Sequence, residues 1–254
     1  MSSALPQEMQ QHTYAIMNRV EDSHWWFVGR RAILESFMQK IVSQIPNPKS
    51  QIQILDVGCG TGANLEMLGQ FGDAEGVDVS EDALAFCRAR NLTQVKLGAV
   101  ERLPYADSSF DLVTALDVVE HLDDDLGGLR EMRRVLRPRG RALLFVPAFM
   151  WLWGVQDDVS HHRRRYTLPQ LTARVREAGF EIERATYANI TFFPPILAGR
   201  AFMKLTGIKP ESENNITISA LNGFLGKLFG AERYWLKNFN FPFGVSIVIV
   251  ARKK

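Results

Sequence analysis

The spacing of apolar positions along the chain changes character twice. Ile33/Leu34, Phe37/Met38, Ile41/Val42 and Ile45 recur every three to four residues, with Pro46 behind them. That period predicts an amphipathic helix stopped at the proline. From about residue 52 short apolar runs take over: IQILDV (52–57), AEGVDV (74–79), QVKLG (94–98), FDLVTAL (110–116), RALLFVP (141–147), FEIERATY (180–187) and VSIVIVA (245–251). Between them lie helix signals, as in Glu81 to Arg90 behind the cap residue Ser80, and Leu168 to Ala178 ahead of Gly179. Strands alternating with helices predict an α/β fold with a mainly parallel sheet covered on both faces.

The second change falls between the sixth and seventh runs. Phe192, Phe193, Ile196, Leu197, Phe202, Met203 and Leu205 form one apolar stretch, and Ile218, Leu221, Phe224, Leu225, Leu228 and Phe229 form another at helical spacing. This predicts a helical insertion. The expected organisation is N-terminal helices over 1–48, a core over 49–190 and 244–254, and a cap over 191–243. No repeat or low-complexity tract suggests a solenoid or tandem array.

Composition narrows the function classes. The chain has 254 residues, 46% of them hydrophobic, and 30 Lys+Arg stand against 28 Asp+Glu for a net charge of +2. This is enough apolar content for a large buried core, and it excludes intrinsic disorder. A near-balanced charge provides no basic field for nucleic acid, so no nucleic-acid partner is expected. The apolar stretch Ala142 to Val155 contains Pro147 and falls short of the roughly 20 residues of a spanning helix. No secretory signal opens the chain, so a cytoplasmic location is expected. Cys59 and Cys87 are too few for a disulfide framework, and no Cys/His spacing marks a metal site.

The sharpest chemical signal is Asp56-Val57-Gly58-Cys59-Gly60-Thr61-Gly62, directly after an apolar run and before a helical segment. Glycines there allow a tight turn that brings backbone amides against a ligand. Asp78 ends the next run, 18 residues after Gly60, where a carboxylate can accept from both ribose hydroxyls of a nucleoside. A nucleoside-bearing cofactor is implied. Gly58, Gly60 and Ala63 also satisfy the dinucleotide spelling, but none of the five tyrosines is followed four positions later by lysine, as short-chain dehydrogenases require.

With these motifs the chain resembles the class I S-adenosylmethionine-dependent methyltransferases, over about residues 50 to 190 plus the last strand. The resemblance implies a Rossmann-like seven-stranded sheet in the order 3-2-1-4-5-7-6, its seventh strand antiparallel. It implies S-adenosylmethionine as cofactor, wrapped by Asp56, Gly58, Cys59, Gly60 and Gly62 and held through its ribose by Asp78 beside Val79. Gly98 to Tyr105 is similar to the adenine-binding stretch, with Val100 and Glu101 as contacts. Ala99 stands where an Asp commonly meets the adenine amino group, and Glu101 is the candidate replacement. Leu116 and Asp117 of LDVVEHL (116–122) correspond to the amino-acid end of the cofactor, while His121 reads as a structural residue on its helix.

Two further segments, Glu21 to Phe27 (EDSHWWF) and Asp157 to Tyr166 (DDVSHHRRRY), resemble motifs of a bacterial methyltransferase subgroup. They nominate His24, His162, Arg165 and Tyr166, with Asp117, for the acceptor side, and Trp25-Trp26 for a lid. Arg163, Arg164 and Arg165 either form an anion site or pair with Asp157 and Asp158 to pin the loop. If the acceptor is an oxygen, His162 is the expected base, its ordinary pKa lying near neutrality. The basic run Arg133 to Arg141 precedes the fifth strand, away from the ligand crevice, and reads as a solvated face. The expected partner is a small acceptor, anionic or apolar, bearing oxygen, nitrogen or sulfur, and lipid- or glycan-linked acceptors remain open. Peripheral membrane contact would also explain the aromatic insertion, and the oligomeric state is undetermined. The alternative is a non-catalytic cofactor-binding sensor or subunit of a membrane-surface assembly.

Overall fold

The computed structural model describes residues 11–46, 51–207 and 219–254. Its helices are α1 (Gln11–Val20), α2 (Trp25–Val42), α3 (Ala63–Leu68), α4 (Glu81–Ala89), α5 (Asp125–Val135), α6 (Val155–Val159), α7 (Leu168–Glu177), α8 (Phe193–Thr206), α9 (Ser219–Gly230) and α10 (Glu232–Leu236). The strands are β1 (Gln53–Val57), β2 (Asp73–Asp78), β3 (Val95–Leu97), β4 (Phe110–Leu116), β5 (Leu136–Pro147), β6 (Phe180–Ala188) and β7 (Ser246–Lys253).

All seven strands join one sheet in the order β3-β2-β1-β4-β5-β7-β6. The pairings from β3 across to β5 are parallel, and β7 runs antiparallel to both its neighbours. Every apolar run of the sequence supplied a strand, in the expected Rossmann-like order. Alternate residues face opposite sides of the pleat. Leu55, Val57, Val113, Ala115, Leu144 and Val146 pack against Leu129 and Met132 of α5 and Leu171 and Val175 of α7. Ile54, Leu112, Leu143, Phe145 and Val248 pack on the other side with Ile33, Leu34, Phe37 and Met38 of α2.

Several boundaries differ from the sequence expectation. β5 begins at Leu136 rather than Arg141, because Leu136 pairs with Phe110 across an irregular step and Arg137 bonds Asp111 at 2.7 Å. The basic run there is largely neutralised, with Arg134 on Asp107 and Glu131 and Arg141 on Glu183. The EDSHWWF segment is not one helix. His24 adopts an extended backbone and its Nδ1 accepts from the Trp26 N–H at 3.3 Å, so α2 starts at Trp25 and Glu21 and Asp22 lie in the turn after α1.

Among the described residues three helices, α8 to α10, separate β6 from β7. The expected insertion residue Ile218 lies outside the described residues. α9 packs on α2 through small residues: a Cβ on Gly29 would lie 2.5 Å from Cδ1 of Phe229, so only glycine permits this approach. α8 has no buried residue of its own. Cys59 and Cys87 are buried and free. Among the described residues no helix is long and apolar enough to cross a membrane.

Candidate active site

β1 delivers the chain into a turn at Gly58, whose N–H donates to the Val77 carbonyl at 2.7 Å. Its φ of +65° and the 2.5 Å that would separate a Cβ from the Val118 side chain both demand glycine. Asp78, at the end of β2, ties this loop down: its Oδ2 accepts from the Gly60 N–H at 2.8 Å and its Oδ1 from the Ser80 N–H at 3.0 Å. Gly58, Cys59, Gly60, Asp78, Val79, Val100, Glu101 and Leu116 line one part of a cavity of about 950 Å³. The Glu101 Oε2 is buried without a hydrogen-bond partner, and burial raises the carboxyl's pKa.

Two expected cofactor residues stand outside that wall. Gly62 starts α3 and faces Leu92 and Cys87 instead. Asp56 is buried beneath the loop, where its Oδ1 accepts from the Thr114 hydroxyl at 2.6 Å and its Oδ2 has no partner. Burial pushes its carboxyl up to about 7, against the lowering effects of the Thr114 bond and the Arg30 charge.

The other part of the cavity is built by the turns after β4 and β5, at the carboxyl ends of the strands. Asp117 has φ +61° and forms an ion pair with Arg30, which also donates to Asn64 at 3.2 Å. Arg30 follows the EDSHWWF segment but is not among the expected site residues, although its signal is legible: it interrupts the apolar face Phe27, Ile33/Leu34 and Phe37 of α2 with a charge that then needs a partner. Burial pushes its pKa down to about 10, so it stays a cation. The Trp26 ring lies 4.7 Å from the guanidinium, and Trp25 and Trp26 both line the cavity. So do Thr13, Tyr14 and Met17 of α1, and Ile196, Arg200 and Met203 of α8. The α1 residues carried no signal in the sequence.

Behind β5, Asp157 is fully buried and organises its loop. One oxygen meets Nδ1 of His162 at 2.8 Å and Nε of Arg165 at 2.7 Å, while the other accepts from the Gly154 N–H at 2.7 Å. Burial opposes the charge, but the His162 and Arg165 interactions outweigh it and hold the carboxyl down at about 2. The carboxylate can only accept, so Nδ1 of His162 carries a proton and Nε2 is the nitrogen left to face a partner in the cavity. That Nε2 lies 4.0 Å from Oε1 of Glu120. The His121 ring stands edge-on to His162, their centroids 4.6 Å apart. Burial, then His162 and His161, push His121 down to about 3, and burial pushes Glu120 up to about 8. No Cys/His spacing announced this convergence of Glu120, His121 and His162.

The three adjacent arginines all meet acids: Arg163 with Asp123 at 3.2 Å, Arg164 with Asp125 at 3.2 Å, and Arg165 with Asp157. Of the two readings of this segment, the geometry matches the pinned loop, although Asp158 instead accepts from the Trp153 indole at 2.9 Å. His24, Asp117, His162 and Arg165 all line the cavity. Tyr166, expected on the acceptor side, does not. Its hydroxyl donates to Asp125 at 2.9 Å, which turns the ring into the core beneath the loop.

Sheet order, glycine turn and strand-end cavity together define a Rossmann-like methyltransferase fold. Residues 55–144 match the family model described as a methyltransferase domain. The chain is 30% identical to the 27-O-demethylrifamycin SV methyltransferase of Amycolatopsis mediterranei, over 80% of its own length and 82% of that protein's. It is 27% identical over 64% of its length to a Mycolicibacterium smegmatis protein described as a probable S-adenosylmethionine-dependent methyltransferase, and spans 62% of that relative. It also matches a chain from the complex between the Haloferax volcanii Trm112 methyltransferase activator and a methyltransferase, with a TM-score of 0.60 and 18% identity over 97% of this chain and 98% of that one. The last likeness is one of fold. The chain belongs to the S-adenosylmethionine-dependent methyltransferase family, whose cofactor is S-adenosylmethionine.

Proposed function

We propose that the chain transfers a methyl group from S-adenosylmethionine to a hydroxyl oxygen of a largely apolar small molecule. One observation carries this reading: the glycine turn with Asp78 and the group Asp117, His162 and Arg165 open into the same cavity. At about 950 Å³ it lies at the upper end of the roughly 300–1,000 Å³ of small-molecule pockets, which leaves room for a second molecule beside the cofactor. A cofactor-binding sensor would need no such space.

The residues present suit the cofactor. Gly58 and Gly60 admit its methionine end, Asp78 and Val79 its ribose, and the unpartnered Oε2 of Glu101 suits the adenine amino group that Ala99 cannot meet. When bound, S-adenosylmethionine supplies an electrophilic methyl carbon, which an acceptor displaces in line while the electron pair of the broken bond stays on sulfur. The chain's task is to hold the partners collinear and dry. Arg30 holds the Asp117 carboxylate at the cavity wall, and Trp25, Phe192, Ile196, Met203 and Leu225 offer an apolar bed for the acceptor. In this reading residues 1–48 form a lid and 191–243 a cap on the core (49–190 and 244–254).

An oxygen acceptor loses its proton as the new bond forms. Nε2 of His162, on a ring oriented by Asp157, is the base that draws that proton off in this reading. The Amycolatopsis mediterranei relative, whose name places its reaction at an oxygen, supports this choice of acceptor atom.

Calorimetric titration of cofactor-stripped protein tests the reading first. S-adenosylmethionine and S-adenosylhomocysteine are expected to bind, Asp78→Ala to abolish that binding, and NADH to give no heat. NADH binding, or no nucleoside binding, overturns it. Release of S-adenosylhomocysteine with phenols and apolar alcohols, but not with thiols or amines, then identifies the acceptor atom.

A further inference from the structure

Glu120, His121 and His162 come from two separate turns, joined where the Arg163 N–H donates to the Glu120 carbonyl at 2.8 Å. Their carboxylate oxygen and ring nitrogens lie within 4.8 Å of one another. Divalent cations bind such donors at about 2.0–2.2 Å, so small side-chain shifts bring all three onto one ion. Neither oxygen of Glu120 has a hydrogen-bond partner, although the residue is fully buried. Buried carboxyl groups left without partners are costly, and this one is 4.0 Å from Nε2 of His162. The remaining nitrogen of His162 is held by the Asp157 carboxylate, the arrangement that orients metal-bound imidazoles. Both histidines line the cavity, so an ion held here keeps open positions on the acceptor side.

We propose that Glu120, His121 and His162 bind a divalent cation that activates the acceptor hydroxyl. Two imidazoles and one carboxylate favour Mn²⁺, Fe²⁺, Co²⁺ or Zn²⁺ over Mg²⁺ or Ca²⁺. The inference rests on the methyltransferase reading and replaces one part of it: Nε2 of His162 ligates the metal instead of taking the acceptor's proton. The hydroxyl, bound on the open face of the ion, releases its proton to water. Its oxygen then bonds to the methyl carbon as the carbon–sulfur bond breaks and leaves its electron pair on sulfur.

The test uses the full chain, treated with EDTA and titrated with Mn²⁺ by calorimetry and by electron paramagnetic resonance of the free ion. One Mn²⁺ per chain is expected. Glu120→Gln and His162→Ala should each abolish that site, and Asp157→Asn should weaken it about 10–100-fold. S-adenosylhomocysteine affinity, measured on each variant, confirms that it is folded. Wild-type protein that takes up neither Mn²⁺ nor Zn²⁺ overturns the inference without recourse to any variant, and so does binding that survives in folded Glu120→Gln and His162→Ala. Failure to bind S-adenosylhomocysteine would instead strike the underlying methyltransferase reading, so the two failures are distinguishable.

Discussion

Single side chains in this site are defined by what they are tied to. Arg30 is buried and Asp117 is its carboxylate, so Asp117→Asn keeps the shape and the tolerance of positive φ but strands the cation. Breaking a buried pair in this way typically costs about 3–5 kcal/mol, which a denaturation midpoint will show. His162→Ala is expected to lower turnover by about 10²–10⁴-fold while S-adenosylhomocysteine affinity stays within about twofold. A parallel loss of cofactor binding would remove His162 from the acceptor side. Asp56 makes stability depend on pH. Burial pushes its folded pKa up to about 7, so the native state holds the proton more tightly than the unfolded chain. This group's favourable contribution is complete below about pH 4, declines as pH rises, and is lost above about 7. Unfolding midpoints measured from pH 5 to 8 should fall in the wild type and fall less steeply in Asp56→Asn, where Glu120, pushed up to about 8, still contributes in the same direction.

Among the elements, the strands were legible because the central runs are apolar on both faces and the outer ones are short apolar stretches between helix signals, while helix ends followed caps that only contacts reveal. Ser80 caps α4 as its type suggests, accepting from the Ala83 N–H at 3.3 Å. His24 caps α2 although histidine is no usual cap signal. Its ring nitrogen, rather than a hydroxyl or carboxylate oxygen, accepts from the first turn. The seam between α2 and α9 was not legible, since glycine in a helix pattern does not say which partner comes close. Adding a methyl group at Gly29 would strike Phe229. Gly29→Ala should therefore destabilise the fold by about 1–3 kcal/mol and Phe229→Ala by about 3–5 kcal/mol. The double variant should lose less than the sum, because removing the ring relieves the clash, and chemical denaturation of the four proteins checks the coupling.

At the scale of the whole molecule, the cavity is closed by parts distant in the chain: α1 and α2 before the sheet, the turns at its strand ends, and α8 and α9 before the last strand. A ligand that binds only this closed state stabilises all of them together. Saturation with S-adenosylhomocysteine at about 100 times its Kd should add about 2.7 kcal/mol and raise the melting temperature by roughly 5–10 °C. NADH should leave it unchanged. A shift of equal size with both would mean that the glycine turn does not discriminate between nucleoside cofactors.

Local pattern and composition were enough for the strands, the main helices, the α/β class and the glycine turn, because period and turn chemistry operate over a few residues. Resemblance in those motifs added the strand order and the cofactor. Tertiary structure alone decided which charges meet, since Arg30 and Asp117 are 87 positions apart and Tyr166 and Asp125 are 41 apart. The direction of Tyr166, the exclusion of Asp56 and Gly62 from the cavity wall, and the convergence of Glu120, His121 and His162 follow from how two strand-end turns fold against each other. Periodicity carries no information over that distance, because it specifies which face of an element is buried and not which partner that face will find.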